Sequence, residues 1–381
     1  HAMLCLGLMS GTSADGVDAV LARFNGAPQR PRWELLRHRH TPYPVELKAQ
    51  LIAAGQGSPL SAADWLDLAE ATTELQATAA EAADPDQKAA LVGCHGQTVW
   101  HRPPSTRRRG ASWQLLQAPL LAQLLERPVV HDFRAADLAL GGQGAPLVPR
   151  ADAALLGRVG GWRGLLNLGG IANLTLIPPR CGPDIKAAVL GWDCGPANSL
   201  IDLAVEHFSG GARSMDRDGA MAAAGSCQEQ LVNQWLKEHY FQAAPPKSTG
   251  RESFGRDDLS RRLKEMEAIS PSDAVATLTG FTAAVVAQDL DHLFAREGFR
   301  PIELLVAGGG NHNPVLMAEL QRRCSGCAVD SSDGQGIPAE AREALVFALL
   351  AWWHERDHHG NAPAVTGAAR AVRLGVRVEP G

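Results

Sequence analysis

The sequence of 381 residues has no run of about 18 consecutive apolar residues, the length that predicts a transmembrane helix. Its N-terminus also lacks the long apolar core of a secretory signal, because the apolar residues 4–9 lead directly into a turn. We therefore expect neither a membrane span nor a membrane partner.

Cysteine is sparse, and its number, 7, is odd. A small secreted domain would carry regularly spaced cysteines that pair in disulfides, so this scattered pattern favours a reduced, cytoplasmic compartment. Cys324 and Cys327 form an isolated CxxC with no second pair and no histidine at zinc spacing, so we expect no structural zinc site there.

Positive charge is also scarce, since the net charge is -5 and the only basic run is residues 107–109. A nucleic-acid-binding protein usually presents a basic face, and a short run of arginines is usually a solvated loop. We therefore expect no nucleic-acid partner. The hydrophobic fraction of 45% is ample for a large core.

The chain contains one order of elements twice. The first stretch predicts strands at 3–9, 17–24 and 33–40, helices at 44–54 and 61–83, a strand at 91–94, a helix at 119–126 and a strand at 128–131. The second predicts strands at 164–168, 172–177 and 187–192, a helix at 198–208, a mixed helical region to about 297, a strand at 302–307, a helix at 314–322, a strand at 328–330 and a helix at 339–354. Two such units predict a bilobal α/β protein with a ligand cleft between the lobes.

The glycines of residues 141–144, GGQG, interrupt this pattern and predict the domain boundary. The expected domains are 1–140 and 141–381, with the extreme C-terminus packing back on the first domain.

Each unit opens with a glycine-rich turn, GTSADG at 11–16 and NLGGIAN at 167–173. Backbone amides in such turns can converge on an anion, and the hydroxyls of Thr12 and Ser13 add donors. The alternative is that each turn simply closes a hairpin. Because the first turn lacks the GxxxxGK[ST] pattern, it is not a P-loop.

Two aspartates in the first turn have a second interpretation. Asp15 and Asp18 are suited to orient waters on a Mg²⁺ ion that is bound to a polyphosphate, because magnesium keeps most of its waters in proteins. The alternative is that both are ordinary turn residues.

The run from 304 to 314, LLVAGGGNHNP, passes from strand through glycines to helix. A dinucleotide-binding GxGxxG is not complete, because its third glycine would fall at Asn313. We favour a loop whose backbone lies against the base or ribose of a nucleotide.

Polar residues follow several predicted strands. Asp193 follows an apolar strand, where partial burial would raise the pKa of its carboxyl toward that of a general base, and the alternative is a cap for the next helix. Arg134 offers paired hydrogen bonds to a substrate carboxylate, and the alternative is a scaffolding role within its loop. Glu343 lies in the first turns of a helix, and the alternative to a functional role is a favourable interaction with the helix N-terminus. His95, Gln97 and Thr98 offer polar groups suited to a sugar, with loop scaffolding as the alternative.

Eight stretches together resemble one family along nearly the whole chain. They are GLMSGTSADGVDAV, GCHGQTVWHRP, DFRAADLALGGQGAPLVP, NLGGIANLTLI, DCGPANSLID, PPKSTGRESF, AGGGNHNPVLM and EALVFALLA. The chain resembles the anhydro-N-acetylmuramic acid kinases of the sugar kinase/actin/Hsp70 superfamily. This resemblance implies an α/β fold of two ribonuclease-H-like (actin-like ATPase) domains, each with a five-stranded mixed sheet and helices, flanking a deep active-site cleft.

The resemblance also implies an activity. Such a kinase uses ATP and Mg²⁺ to phosphorylate O6 of 1,6-anhydro-N-acetylmuramic acid while water opens the anhydro ring. The products are N-acetylmuramic acid 6-phosphate and ADP, the setting is peptidoglycan recycling in the cytoplasm, and the assembly is a homodimer. The alternatives are another sugar or acyl kinase on this scaffold, or a non-catalytic ATP-gated module like a chaperone.

The resemblance assigns roles residue by residue. Asp193 would be the general base, and Glu343 would help to hold the water or the substrate. Arg134 would bind the lactyl carboxylate. His95, Gln97 and Thr98 would contact the sugar. The ATP-binding set is Gly11, Thr12, Ser13, Ala14, Asp15, Gly16, Val17, Asp18, Gly169, Gly170, Asn173, Gly308, Gly309, Gly310 and Asn311, of which Asp15 and Asp18 would reach Mg²⁺ through water.

The chain departs from the family's usual pattern at a few positions. Ala14 replaces leucine, Cys194 replaces threonine, Ala197 replaces glycine, and the run VPRAD at 148–152 replaces VPAFH. Because Cys194 removes a hydroxyl beside Asp193, the hydrogen bonding around the expected base differs from the family's pattern.

Overall fold

A computed structural model describes residues 1–157, 160–179, 181–184, 187–249, 253–335 and 337–381. The chain forms two compact units: unit 1 comprises His1–Leu156 and Ile337–Gly381, and unit 2 comprises Gly157–Gly336. The division therefore falls after Leu156 instead of at the glycines of 141–144, and unit 1 includes a long C-terminal segment.

The described residues contain strands β1 to β12 and α-helices α1 to α14. The strands are β1 Met3–Ser10, β2 Gly16–Asn25, β3 Arg32–Pro42, β4 Leu91–Arg102, β5 Ala111–Leu115, β6 Val129–His131, β7 Arg163–Leu168, β8 Ile171–Ile177, β9 Leu190–Pro196, β10 Glu303–Ala307, β11 Ala328–Ser331 and β12 Val376–Val378. The helices are α1 Val45–Gly55, α2 Ala62–Ala83, α3 Ala118–Leu125, α4 Ala135–Ala139, α5 Val148–Leu156, α6 Asn198–Phe208, α7 Ala220–Ala223, α8 Glu229–Leu236, α9 His239–Gln242, α10 Arg256–Glu265, α11 Pro271–Glu297, α12 Pro314–Arg323, α13 Ala339–Glu355 and α14 Pro363–Thr366. None of these helices is long and apolar enough to cross a bilayer.

The two sheets repeat one topology. In unit 1 the strand order is β12-β6-β4-β1-β2-β3, and β5 pairs with β4. In unit 2 the order is β11-β10-β7-β8-β9. In both sheets the first three strands of the unit pair antiparallel. Two later strands, β4 and β6 in unit 1 and β10 and β11 in unit 2, run parallel to the first strand. This confirms the predicted α/β class with two mixed sheets and a repeated unit.

The sheet of unit 1 is larger than predicted, with 7 strands in place of five. The additional strands are β5 and β12. β4 runs through Arg102, well beyond the apolar residues 91–94, and its far end pairs with β5. β12 is only 3 residues long and pairs antiparallel with β6. Both additional strands alternate apolar and polar residues, but only over 5 residues in β5 (ASWQL) and 3 residues in β12 (VRV), and such short patterns predict a strand weakly.

Helix α13 packs directly on the sheet of unit 1. A Cβ atom on Gly7 of β1 would lie 2.0 Å from the carbonyl oxygen of Ala344, and one on Gly93 of β4 would lie 2.1 Å from that of Phe347. Only glycine permits such a close approach of helix and strand. Because α13 belongs to the C-terminal segment, this contact ties that segment into the core of unit 1.

Helix α11 forms the centre of unit 2. It begins at a capped N-terminus, where the Ser270 side chain accepts a hydrogen bond from the backbone N–H of Asp273 at 3.1 Å. Phe281 and Val285 of α11 are fully buried with Trp235 and Phe241. This core supports β9, the strand that carries Asp193.

Candidate functional site

The first glycine-rich turn forms an exposed hairpin tip between β1 and β2. The backbone N–H of Ala14 donates to the carbonyl of Gly11 at 3.0 Å and closes the turn. Thr12 and Ser13 are exposed. Ala14, with φ of 53°, and Val17 instead belong to the core of unit 1. The tip therefore presents hydroxyls to solvent, while Ala14 and Val17 hold it in place.

The last three residues of the expected loop lie in strand β2. A Cβ atom on Gly16 would lie 2.3 Å from the carbonyl oxygen of Thr41 on β3, so β2 begins at a position that requires glycine. Asp18 is paired with His40 across the strands. Asp18 is therefore a strand residue with a fixed cross-strand neighbour, not a residue of the turn.

Two histidines hold the Asp18 carboxylate. Its Oδ1 atom lies 3.0 Å from Nε2 of His38 and 3.1 Å from Nδ1 of His40. Asp15 accepts a hydrogen bond from Nζ of Lys48 at 2.8 Å, and this bond is the main cause of the lowered pKa of Asp15. An open cavity of about 480 Å³ lies beside the hairpin tip. Its lining residues are Gly11, Ser13, Asp15, Gly16, Asp18, His38 and His40.

A buried polar network supports the tip from below. Gln97 is 1% exposed, its Nε2 donates to the Gly11 carbonyl at 2.9 Å, and its Oε1 accepts from the Tyr43 hydroxyl at 3.0 Å. The Gln76 amide donates to the Ser10 hydroxyl at 3.3 Å. Burial raises the pKa of Tyr43 to about 12, so this hydroxyl stays a donor. Through these two hydrogen bonds, the Gln97 side chain stabilises the hairpin tip.

His95 binds Arg134 in unit 1. The Nε atom of Arg134 donates to Nε2 of His95 at 3.2 Å, while Nδ1 of His95 lies 2.8 Å from the carbonyl oxygen of Gly96. Burial and the Arg134 charge lower the pKa of His95 to about 3, so the ring is neutral, with its proton on Nδ1. Both ring nitrogens are therefore engaged within the protein, which favours a role for His95 in orienting Arg134.

Arg134 is fixed on two sides. In addition to His95, it donates from Nη1 to the Gly144 carbonyl at 2.7 Å. Burial lowers its pKa to about 10, against the opposing effect of Glu343 and Asp137, so it stays charged at neutral pH. A cation held in this way can bind an anionic group without losing much side-chain entropy.

Glu343 lies on α13 beside these cations. Its side chain reaches solvent, yet desolvation by the surrounding protein raises its pKa against the effect of Arg342 and Arg134. Arg342 forms a buried ion pair with Asp152 of α5, the residue that ends the VPRAD departure. This departure thus supplies the partner of the arginine next to Glu343.

Thr98 contacts its neighbouring strand. Its hydroxyl oxygen accepts a hydrogen bond from the Gln114 amide of β5 at 3.1 Å, and the residue is half-buried. The contact depends on the additional strand β5, which the sequence did not reveal.

In unit 2, the second glycine-rich turn binds the start of α6. The Gly170 carbonyl accepts from the backbone N–H groups of Ala197 at 2.9 Å and Ser199 at 3.1 Å, and the Gly169 carbonyl accepts from that of Asn198 at 3.0 Å. These three amides are therefore occupied by the turn. The contact fixes the turn to the helix that follows β9.

Asp193 belongs to a row of polar residues across three strands. Asn167 of β7 pairs with Asn173 of β8, and Asn173 pairs with Asp193 of β9. Directly paired residues share one face of a sheet. Asn173, which the sequence assigned to ATP, is therefore a neighbour of the expected base, and Asn167 extends the row.

Asp193 lies inside β9, not after its end as the sequence indicated, because the strand continues through Pro196. Its Oδ2 atom accepts a hydrogen bond from the backbone N–H of Thr249 at 2.9 Å, and its carbonyl accepts from the Tyr240 hydroxyl at 2.7 Å. Burial raises the pKa of Asp193, and the Thr249 hydrogen bond opposes this shift. The direction is that required of a general base.

A buried ion pair lies next to this strand. Nζ of Lys247 lies 3.2 Å from Oδ1 of Asp289, and the two side chains are only 5% and 4% exposed. Oδ2 of Asp289 accepts from the indole N–H of Trp192 at 2.7 Å. The sequence singled out neither Lys247 nor Asp289, although Lys247 lies within the PPKSTGRESF stretch.

The glycines at 308–310 pack on the end of β7. A Cβ atom on Gly308, where φ is +82°, would lie 2.6 Å from Oδ1 of Asn167, and one on Gly310 would lie 2.6 Å from Cβ of Leu168. A Cβ on Gly309 would meet its nearest neighbour, Asn198 Nδ2, only at 3.6 Å. The outer two glycines are thus required by packing. Asn311 is buried and donates from Nδ2 to Asp333 at 3.2 Å.

The predicted site residues are divided between the two units. Unit 1 contains the hairpin tip together with His95, Gln97, Thr98, Arg134 and Glu343. Unit 2 contains Asp193 with Asn173, the turn at 169–170 and the glycine loop. Among the described residues, no group of three or more histidine, cysteine, aspartate or glutamate side chains forms a ready-made metal site.

The chain matches the family model described as "Anhydro-N-acetylmuramic acid kinase" over residues 3–380. A curated relative of that name from Parasynechococcus marenigrum is 72% identical over 99% of this chain and 100% of the relative. One from Prochlorococcus marinus strain MIT 9211 is 54% identical over the same shares. A solved activator of 2-hydroxyisocaproyl-CoA dehydratase from Clostridium difficile aligns with a TM-score of 0.40 and 11% identity, covering 93% of this chain and 96% of that one. The chain belongs to the anhydro-N-acetylmuramic acid kinase family.

Proposed function

We propose that this chain transfers the γ-phosphate of ATP to O6 of 1,6-anhydro-N-acetylmuramic acid while water opens the anhydro ring. The products are N-acetylmuramic acid 6-phosphate and ADP, and the reaction serves peptidoglycan recycling. Family membership supports the reaction class. The observation that carries the mechanism is the partly buried Asp193, whose pKa is raised and whose carboxylate is held by a backbone amide.

Asp193 acts as the general base. It takes a proton from the attacking water as the water oxygen bonds to C1 of the sugar. The bond between C1 and O6 breaks, and its electron pair goes to O6. O6 then bonds to the γ-phosphorus as the bond to the β-phosphate oxygen breaks and ADP leaves. Such a base typically contributes about 10²–10⁴-fold to the rate.

Arg134 binds the lactyl carboxylate of the sugar. Its attachment to His95 and Gly144 supports this role, because it presents a pre-oriented cation. Glu343 helps to hold the water or the substrate, and Thr98 contacts the sugar. His95 and Gln97 contribute by fixing Arg134 and the hairpin tip, since their polar atoms are already bonded within the protein.

The exposed Thr12 and Ser13 bind the ATP phosphates at the hairpin tip. Two carboxylates line the same cavity, and such oxygen ligands suit Mg²⁺, so Asp15 and Asp18 fit a magnesium ion that they contact through water. When bound, Mg²⁺ neutralises phosphate charge. The loop at 308–311 and the turn at 169–170 bind the nucleotide, and Gly309 has the space to lie against it.

The chain also acts in the cytoplasm and as a homodimer. The absence of regularly spaced cysteines supports the first statement, and the family resemblance supports the second. Size-exclusion chromatography with light scattering tests the second directly, and a monomer at micromolar concentration would contradict it.

Substitution of Asp193 by asparagine tests the mechanism. We expect Asp193→Asn to lower kcat by at least about 10²-fold, because asparagine cannot accept the water proton. The Kd for ATP should stay within about twofold, since the shape of the side chain is kept and the glycine loop is unchanged. Steady-state kinetics and calorimetric titration of ATP measure the two effects.

The matched control is Asp67→Asn, which removes an exposed carboxylate from α2 and should leave kcat unchanged. Near-normal turnover in the Asp193 variant would remove this residue from the role of base.

A further inference from the structure

The segment at 247–249 holds Asp193 from two directions. The backbone N–H of Asp193 donates to the Lys247 carbonyl at 3.2 Å, and the Thr249 N–H donates to the Asp193 carboxylate at 2.9 Å. The second bond contacts one of the two oxygens of the carboxylate on which the proposed proton transfer depends. The position of residues 247–249 therefore influences both the orientation of the Asp193 carboxylate and its pKa.

The Lys247 side chain anchors that segment in the interior. Its ammonium group donates to Asp289 at 3.2 Å and to the Tyr240 carbonyl at 3.3 Å, and it lies 5.0 Å from the centre of the Tyr240 ring. Asp289 projects from the long helix α11 and also binds Trp192, the residue before Asp193. The lysine thus links a loop without regular structure to the most buried helix of unit 2.

We infer that Lys247 is a positioning residue for the reaction: through its ion pair with Asp289, it fixes the Thr249 amide against the Asp193 carboxylate. The inference rests on the proposed role of Asp193 as the base. It predicts that loss of either partner of the ion pair releases the segment and weakens the Thr249 hydrogen bond. Because that bond lowers the pKa of Asp193, its loss moves the pKa upward.

A purely electrostatic role for the pair predicts a different pattern. Within the part of the chain that the structure describes, the titratable and charged groups around Asp193 are Lys247, Tyr240, Asp289 and Cys194. Removing the positive charge of Lys247 would raise the pKa of Asp193, but removing the negative charge of Asp289 would lower it. The positioning role predicts an upward movement in both cases, so the two variants separate the explanations.

The experiment measures the pH dependence of kcat/KM for the anhydro sugar in the full chain. We expect Lys247→Met and Asp289→Asn each to raise the midpoint of the acidic side of the kcat/KM profile by about half to one pH unit. Each variant should also lower kcat about tenfold. The KM for ATP should change less than about twofold. Lys247→Arg keeps the charge and the reach to Asp289, so it should retain most of the activity.

Two further variants keep the test decisive. Lys264→Met, an exposed lysine on α10, is the matched control and should leave the profile unchanged. If Lys247→Met does not fold, the double variant Lys247→Met/Asp289→Leu removes both buried charges and restores an apolar interior. The double variant should fold, and the midpoint of the acidic side of its kcat/KM profile should still lie at a higher pH than in the unsubstituted protein.

The inference would be overturned if Asp289→Asn lowered the midpoint of the acidic side of the kcat/KM profile. It would also be overturned if a folded Lys247→Met variant left the profile unchanged. Failure of the proposed function gives a different result. In that case Asp193→Asn would itself stay active, whatever the behaviour of the Lys247 variants.

Discussion

At the scale of single residues, the proposed mechanism depends on the environment of Asp193. The Asp193 carboxylate is half-buried, and it accepts a hydrogen bond from the backbone N–H of Thr249. Burial disfavours the charged form, so the carboxyl is more basic than an exposed aspartate. A stronger base removes a water proton more readily, provided that it is ionised at the working pH.

This environment predicts the pH dependence of the reaction. The base must be ionised, so kcat/KM should fall as the pH falls through the pKa of Asp193. Because that pKa is raised, the fall should be centred above the ordinary aspartate value of about 3.9. A rate profile with ATP and the anhydro sugar measures the midpoint, and a midpoint at or below the ordinary value would contradict the assignment.

The sequence identified the residues that carry charge or hydroxyls next to predicted strands, such as Asp193 and Arg134. It did not reveal their partners, because these come from distant parts of the chain. Thr249 meets Asp193 from 56 residues away, and Lys247 meets Asp289 across 42. The histidines beside Asp18 become neighbours only through the strand register of β2 and β3. The residue roles themselves stay predictions.

At the scale of elements, the glycine loop after β10 combines two requirements. Gly308 and Gly310 allow close packing on β7, whereas Gly309 is exposed and has room for a side chain. Sequence alone gives one interpretation for all three, since the run GGG does not show which Cα faces which neighbour.

Substitution separates these glycines. We expect Gly308→Ala to destabilise unit 2 by about 1–3 kcal/mol, because alanine would adopt a positive φ and contact Asn167. Gly309→Ala should leave the melting temperature nearly unchanged and weaken ATP binding several-fold. Thermal denaturation and ATP titration measure the two effects. Equal melting temperatures for both variants would contradict the packing argument.

The prediction of elements succeeded where the apolar pattern is long. The hairpins of both units, α2, α6 and α13 lie where periodicity indicated. It was incomplete for β5, β12 and the short helices α4, α5 and α14, whose stability comes from contacts with distant elements. Asp137 illustrates this, because it fixes the segment around Thr366 through a hydrogen bond of 2.7 Å.

At the scale of the whole molecule, unit 1 is built from two separate segments of the chain, and unit 2 is formed by the residues between them. Unit 1 is completed by residues 337–381, which contribute α13 and β12 to its core and sheet. The sequence does not indicate that residues 337–381 belong to unit 1, because the apolar pattern of α13 would fit the core of either unit. The close approach of α13 to Gly7 and Gly93 shows where it packs.

This arrangement predicts how fragments fold. A fragment of residues 157–336 should fold cooperatively, because its sheet and core are complete within it. A fragment of residues 1–156 should not fold until residues 337–381 are supplied, since it lacks the helix that covers β1 and β4. Circular dichroism and urea denaturation test this. Cooperative unfolding of the 1–156 fragment alone would contradict the division.

The central claim is that one chain couples phosphate transfer to hydrolytic ring opening. The most direct test incubates the protein with ATP, Mg²⁺ and 1,6-anhydro-N-acetylmuramic acid in ¹⁸O-labelled water, with the finished product in the same water as the control for exchange. We expect ¹⁸O at C1 of the sugar phosphate beyond the level in that control, and no ¹⁸O in the phosphate ester. Phosphorylation with the anhydro ring intact, or label in the ester, would contradict it.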